Sequence, residues 1–227
     1  MGPVSMASER PDAANGWGSR EPLDLAFYER DAIVVARALL GAYLVHALPD
    51  GARVGRVVET EAYRGPKDLA CHARAGITKR TRTLYGAPGR AYVFLIYGMY
   101  DCFNVVCAGV GKGHAVLVRA VEPVFGIAAG IRTDGPGRLA RAMGITRGHD
   151  GGDLRTGALY VAPADRRPKV AVTARVGVAY AAAWADAPLR FYDAESSFVS
   201  RPSARQIGSG ITARPTPRTA PARGDRR

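Results

Sequence analysis

The sequence predicts a mixed α+β fold: a single compact domain built on a mostly antiparallel sheet with flanking helices. Three observations carry that prediction. A chain of 227 residues fits one domain with short appendages. A content of 47% hydrophobic and 23% charged residues leaves enough apolar side chains for a core. Segments of strand-like and helix-like pattern then alternate along the chain through short connections of the kind that join antiparallel neighbours.

The elements follow in order. Asp31 can cap a helix running to Leu40, with Ile33, Val34, Ala36, Leu39 and Leu40 apolar and Gly41 as its stop. Residues 42–48 read as a strand, Pro49-Asp50-Gly51 as a turn, and residues 54–63 as the returning strand. Residues 64–87 are rich in Gly, Thr and Arg without clear periodicity, and a loop this long inside a domain points to function. Residues 91–97 and 100–107, rich in aromatic and β-branched side chains, form a hairpin with Tyr97-Gly98-Met99-Tyr100 at its tip. A strand at 114–120, a short helix at 137–143 behind Pro136, and late strands at 170–178 and 189–192 complete the domain. The expected organisation is a flexible N-terminal segment at 1–20, the domain at 21–195, and a disordered Arg/Pro-rich tail at 196–227.

Charge narrows the function. Basic residues number 32 against 20 acidic ones, a net +12, which favours a polyanionic partner. Half of the excess lies in residues 201–227, where seven Arg face Asp225 alone. The other half lies in residues 71–120, where Arg74, Lys79, Arg80, Arg82, Arg90, Lys112 and Arg119 face only Asp101. A site needing a positive field belongs in that second cluster, although Arg outnumbers Lys 28 to 4 and some of this reflects GC-rich coding.

Several classes drop out. No apolar run approaches the ~18 residues a membrane span requires. Residues 1–20 lack the apolar stretch of a signal peptide, and Met6 stands where a myristoylation signal wants Ser or Thr, so Met6 is itself a second candidate start. Cys71, Cys102 and Cys107 are too few for a disulfide framework, which predicts a reducing cytoplasm. No metal-ligand spacing, P-loop, G-x-S-x-G or dinucleotide fingerprint occurs, so neither metal nor cofactor is expected.

Two constellations remain. Glu59, Glu61 and Tyr63 share one face of a strand, with Thr60 and Ala62 on the other. Such a face is either a solvated edge pairing with Arg or a carboxylate site opening into the basic loop that follows. His72 lies nine residues beyond Tyr63 and alone indicates little. At the hairpin tip, Tyr97 and Tyr100 either fold back onto the core or act as a wedge that parts base steps while basic residues hold phosphates.

The same residues carry a resemblance. Residues 57–63 (VVETEAY), the Tyr97–Tyr100 turn with Asn104, residues 117–123 (LVRAVEP), 135–139 (GPGRL), 175–178 (RVGV) and 188–192 (PLRFY) resemble, in order, the 3-methyladenine DNA glycosylase family of the mammalian alkyladenine type. The resemblance spans about residues 23–192. It implies an α+β domain with a protruding β-hairpin that excises alkylated or deaminated purines from duplex DNA as a monomer, without metal and without strand cleavage, in the cytoplasm with the nucleoid. It further implies Glu61 as general base and Arg119 as a holder of the attacking water. Tyr63, His72 and Asn104 become base-pocket residues and Tyr97 the side chain that fills the gap in the duplex. Phe94 stands where animal members often carry a pocket tyrosine, so stacking is kept without that hydroxyl. Arg74, Lys79, Arg80 and Arg82 are the candidates for backbone phosphates. Two other readings stay open: a damaged-DNA-binding protein without catalysis, and a glycosylase that also cleaves the strand, which would need an amine such as Lys67 or Lys79 at the site.

Overall fold

The computed structural model describes Trp17 and residues 20–200. An eight-stranded antiparallel sheet organises them, and its long central strand, β2 (Gly51–Arg64), touches three partners. Strand β5 (His114–Phe125) pairs with β2 from Val54 to Arg64. The same stretch of β2 is shared on its other side by β1 (Tyr43–Leu48), paired at 51–56, and β8 (Arg190–Asp193), paired at 59–61. Beyond β5 lie β4 (Tyr100–Cys107) and the edge strand β3 (Ala91–Ile96); β6 (Leu159–Ala162) extends β1, and β7 (Val170–Thr173) extends β8.

Helices cover one face. Helix α1 (Leu25–Tyr28) is one turn, capped by Asp24, whose side chain accepts from the Phe27 N–H. In α2 (Ala32–Leu39) the Asp31 carboxylate accepts from the Ile33 N–H at 2.9 Å, as its cap role demands. Ala32, Val35, Ala36 and Leu39 recur at helical spacing and are buried against the sheet. The helix ends one residue earlier than expected, because Leu40 is already extended and Gly41 takes a φ of 86°. Pro136 opens α3 (Pro136–Met143), which buries Leu139, Ala140 and Met143 in the same core as Val57, Ala62, Phe103, Val116, Val118 and Val121.

The opposite face carries the polar residues, and a paired irregularity puts them there. Val57 pairs with Val121 and Thr60 with Val118, all four on the core face, where the Thr60 hydroxyl donates to the Ala36 carbonyl of α2 at 2.9 Å. Three residue steps separate those positions on each strand where regular alternation allows two. Val58 on β2 and Arg119 on β5 are the extra residues, since Glu59 pairs with Ala120 between them. Without the irregularity, Glu59 and Glu61 would share the parity of Val57 and enter the apolar core. With it they face away.

Several expectations need correction. The strand expected at 170–178 stops at Thr173, because Arg175 turns in to Asp68 and the Val176 N–H is used elsewhere. The long loop at 64–87 contains three one-turn 3-10 helices, Gly65–Lys67, His72–Ala75 and Arg82–Tyr85. Strand β6 lies where no element was expected. Of the N-terminal segment, Trp17 packs on Tyr43 and its carbonyl accepts from the Tyr160 hydroxyl, while Arg20 pairs with Asp165; its other residues lie outside the described ones. Of the tail, residues 196–200 lead back to the sheet and Ser200 is buried; residues 201–227 lie outside the described ones. Among the described residues, no helix is long and apolar enough to cross a membrane.

Candidate active site

A row of paired residues crosses the sheet: Arg190 on β8, Glu61 on β2, Leu117 on β5, Asn104 on β4 and Tyr92 on β3. Cross-strand partners share a face, so this one row brings together side chains as far as 129 residues apart in the sequence. The 65–87 loop lies over it, with Cys71, Ala73 and Leu84 packed against Tyr92, Val106 and Ala115.

Glu61 is fully buried and its carboxylate is well supplied with donors. Oε1 accepts from the Val176 N–H at 2.7 Å and Oε2 from the Tyr63 hydroxyl at 2.9 Å, while Arg119 Nη1 stands 3.3 Å from Oε1. Two donors and a guanidinium thus surround this carboxylate. A carboxylate offers about four acceptor directions, so Oε2 keeps one for a water. The Tyr63 phenol is pushed well above its usual range, first by burial and then by the Glu61 charge, so it is a donor. Arg119 behaves similarly in the other sense. Burial would lower its pKa, but the charges of Glu61 and Glu59 outweigh that and raise it.

Glu59 shares the face, and its situation differs. Its Oε1 accepts from Arg119 Nε at 2.9 Å, Arg190 Nε at 2.7 Å and the Ser200 hydroxyl at 2.8 Å, and its Oε2 accepts from the Ser200 N–H at 2.7 Å. Glu59 thus has four donors, about the number a carboxylate accepts, with three of them on Oε1. It is a structural anion, whereas Glu61 retains capacity for chemistry.

The aromatic side of the site is built by His72, Phe94 and Tyr92. His72 packs edge-on to Phe94 with ring centroids 4.4 Å apart, and its Nδ1 shares a hydrogen bond of 3.0 Å with the Tyr92 hydroxyl. Burial, helped by the Arg80 charge, lowers the His72 pKa to about 4, so the ring is neutral near neutral pH. Asn104 is buried and donates through Nδ2 to the Tyr92 and Cys102 carbonyls at 3.1 and 3.3 Å, which leaves Oδ1 as the atom available to a ligand. Tyr63 belongs to this wall too, under the Arg175 guanidinium at 4.7 Å; Arg175 in turn is locked to Asp68 at 2.6 Å.

The structure therefore brings Glu61, Arg119, Tyr63, His72, Phe94 and Asn104 into one region. Tyr97 stands apart at the hairpin tip, 82% exposed, with Met99 and Tyr100 also exposed. Of the two readings of the tip, folding back onto the core does not describe Tyr97 or Met99, while Tyr100 lies against Gly137 of α3. Tyr97 and Gly98 have φ values of 52° and 70°, the two left-handed residues of a type I′ turn closed by the Met99 N–H on the Ile96 carbonyl. A tyrosine in that region costs ~1–2 kcal/mol, and a ring 82% exposed buries little surface to offset it.

Arg74, Lys79, Arg80 and Arg82 are all exposed on the covering loop. Arg80 does more than the others, lying 5.4 Å over the Phe94 ring. It also lines an open depression of about 290 Å³ with Lys79, Leu95 and Arg147, which does not reach Glu61. Sequence reasoning missed Arg147, Arg190, Arg175 and Ser200. Arg147 lies outside the basic cluster, and the other three act through partners more than 100 residues away, which leave no local pattern. Among the described residues no group of three or more His, Cys, Asp or Glu is arranged to hold a metal ion.

Comparison with known proteins places this chain among the DNA glycosylases. Residues 26–197 match the family model described as methylpurine-DNA glycosylase (MPG). The chain belongs to that family. A relative from Myxococcus xanthus (strain DK1622), named "Putative 3-methyladenine DNA glycosylase", is 54% identical over 178 residues, which cover 78% of this chain and 92% of the relative. Proteins of the same name from Legionella pneumophila (strain Lens) and Methanocella arvoryzae are 48% and 46% identical, covering 77% of this chain and 96% and 94% of their own length.

Proposed function

We propose that the protein is a monofunctional DNA glycosylase that extrudes alkylated or deaminated purines from duplex DNA and hydrolyses the N-glycosidic bond, leaving an abasic site. The single observation that carries this reading is the difference between two buried carboxylates: Glu59 takes four donors, two of them arginines, whereas Glu61 has three neighbours and its Oε2 keeps an acceptor position.

The chemistry runs from that carboxylate. A base inside the duplex shields its own C1′, so it must leave the stack first, and damaged or mispaired bases do so at lower cost. Tyr97 fills the vacated space, and the rings of Tyr63, His72 and Phe94 receive the purine. Alkylation gives that purine positive charge, which makes it a better leaving group and a good partner for aromatic faces. As the glycosidic bond breaks, positive charge grows on the sugar. Glu61 stabilises it and accepts a proton from the attacking water, while Arg119 orients the carboxylate and water.

A strand-cleaving variant of the chemistry needs an amine nucleophile at C1′. All four lysines of the chain, Lys67, Lys79, Lys112 and Lys169, are exposed, and none contacts Glu61, which supports simple hydrolysis. The partner is duplex DNA bound by a monomer, gripped by the exposed arginines of the 65–87 loop, in the cytoplasm with the nucleoid.

Incubation of the full chain with methylated duplex DNA tests the reading. Free methylated purine should appear in solution with alkali-labile sites left in intact strands. Tight binding to the damaged duplex without free base would instead establish the non-catalytic binding protein, and nicks without alkali would establish a lyase.

A further inference from the structure

The guanidinium of Arg119 has three nitrogens, and each has one partner. Nε donates to Glu59 Oε1 at 2.9 Å, Nη2 donates to the Ser200 hydroxyl at 3.3 Å, and Nη1 faces Glu61 at 3.3 Å. Ser200 closes the ring of contacts by donating its hydroxyl to Glu59 Oε1 and its N–H to Glu59 Oε2. Arg190 holds the assembly from the other side, with Nε on Glu59 and Nη2 on the Ser200 carbonyl. Ser200 lies three residues beyond the span that matches the family model.

We infer that Glu59 and Ser200 are positioning residues for base release: together they occupy two of the three nitrogens of Arg119, so that only Nη1 is presented to Glu61 and the attacking water. This rests on the glycosylase reading above. Three physical points support it. A free guanidinium next to a lone carboxylate prefers the forked, two-nitrogen geometry, which would use both oxygens of Glu61 and leave it no acceptor for water. Glu59 prevents that by taking Nε. Arg119 is itself the extra residue of the strand irregularity, so its backbone alone fixes its direction poorly and its side chain needs a second anchor. Two carboxylates and two arginines also balance in charge, so Glu59 offsets the cation that Glu61 would otherwise face alone. The segment at 196–200 is consequently part of the enzyme, where the sequence suggested the beginning of a tail.

The test is single-turnover base release from methylated duplex DNA by the full-length chain, with lesion affinity measured in parallel. Glu59→Gln should slow release by about 10²-fold, the cost of a misplaced catalytic group, with affinity for the damaged duplex unchanged. In an Arg119→Met background the same change should add nothing further, because a residue acting through Arg119 has nothing left to position. An independent additional loss in that background would overturn the inference and make Glu59 merely structural. Since Glu59→Gln leaves buried arginines short of charge, Ser200→Ala provides a milder variant at the edge of the domain. It should slow release about 3–10-fold, the effect of one hydrogen bond, again with unchanged affinity. Wild-type rates in a folded Glu59→Gln or in Ser200→Ala would sink the proposal while leaving the glycosylase reading intact. An inactive wild type on methylated DNA would instead sink the glycosylase reading.

Discussion

Glu61 and Tyr97 occupy opposite extremes of the same sheet. The first is entirely buried, on the central strand, with every neighbouring donor accounted for; the second is 82% exposed at the end of an edge hairpin, in a strained left-handed conformation. The buried region gains precision from its surroundings: two glutamates, two arginines and a serine fix one another, and removing a charged member leaves a buried charge uncompensated, at about 3–5 kcal/mol. The exposed region has no such support, and its strain of ~1–2 kcal/mol contributes nothing to folding. Under the proposed function the difference separates two tasks. Chemistry needs atoms held to fractions of an ångström, while damage sensing needs a hydrophobic surface free to enter a duplex, so stability is concentrated in one and given up in the other.

The largest expected effect breaks the buried side. Glu61→Gln should reduce base release by about 10²–10⁴-fold, the range of general-base catalysis, while the folded variant still binds damaged duplex. Equal rates for mutant and wild type in a single-turnover assay would remove Glu61 from the mechanism. The exposed side should respond in the opposite pattern. Tyr97→Ala should weaken binding to a lesion duplex by about 1–3 kcal/mol, the value of one aromatic–base contact, and leave binding to undamaged duplex and thermal stability nearly unchanged. Tyr97→Gly sharpens the contrast further, since it relieves the left-handed strain and should raise stability by ~1–2 kcal/mol while losing the same affinity. A fall in the melting temperature of Tyr97→Gly would mean that the ring packs after all.

The smallest effect probes the border between the regions. His72 is held near a pKa of about 4 by burial first and by Arg80 second. An unfolded histidine takes up its proton near pH ~6.5, so the unfolded state binds more protons than the folded one between those values. This contribution to stability is fully present above pH ~6.5 and is lost as the pH falls towards 4. Arg80→Ala should raise the His72 pKa modestly, as followed by NMR of the ring, and narrow that window. No movement would show that burial alone sets it.

Much of this architecture was legible in the sequence, and the reason lies in how local each signal is. The Asp31 cap, the Gly41 stop, Pro136 at the start of its helix and the hairpin around Tyr97-Gly98 are each decided by a few neighbouring residues, and all four stand where expected. The alternation of Glu59, Glu61 and Tyr63 was legible too, but extending it back to Val57 fails at Val58. That failure depends on a matching extra residue at Arg119, some 60 positions away, which no local pattern records. The roles of Ser200 and of Arg190, the latter within the 188–192 motif, were not legible for the same reason: both rest on a shared partner, Glu59, that only the folded sheet supplies. The 64–87 stretch was recognised as functional from its length but not as three short 3-10 turns, since single turns carry too little periodicity to detect.

The twin irregularity at Val58 and Arg119 has a consequence for how such a chain can vary. Because each strand carries one surplus residue, the pairing before and after resumes in step. A deletion confined to one strand would slide β5, and with it β4, β3 and their hairpin, by one position against β2, turning side chains over to the wrong face. Substitutions in this window are thus far more permissible than changes of length, and a lineage that dropped one surplus residue would have to drop the other at the same time. The span between the Glu61 carboxylate and the protruding tyrosine is, in that sense, a count of residues before it is a matter of their kind.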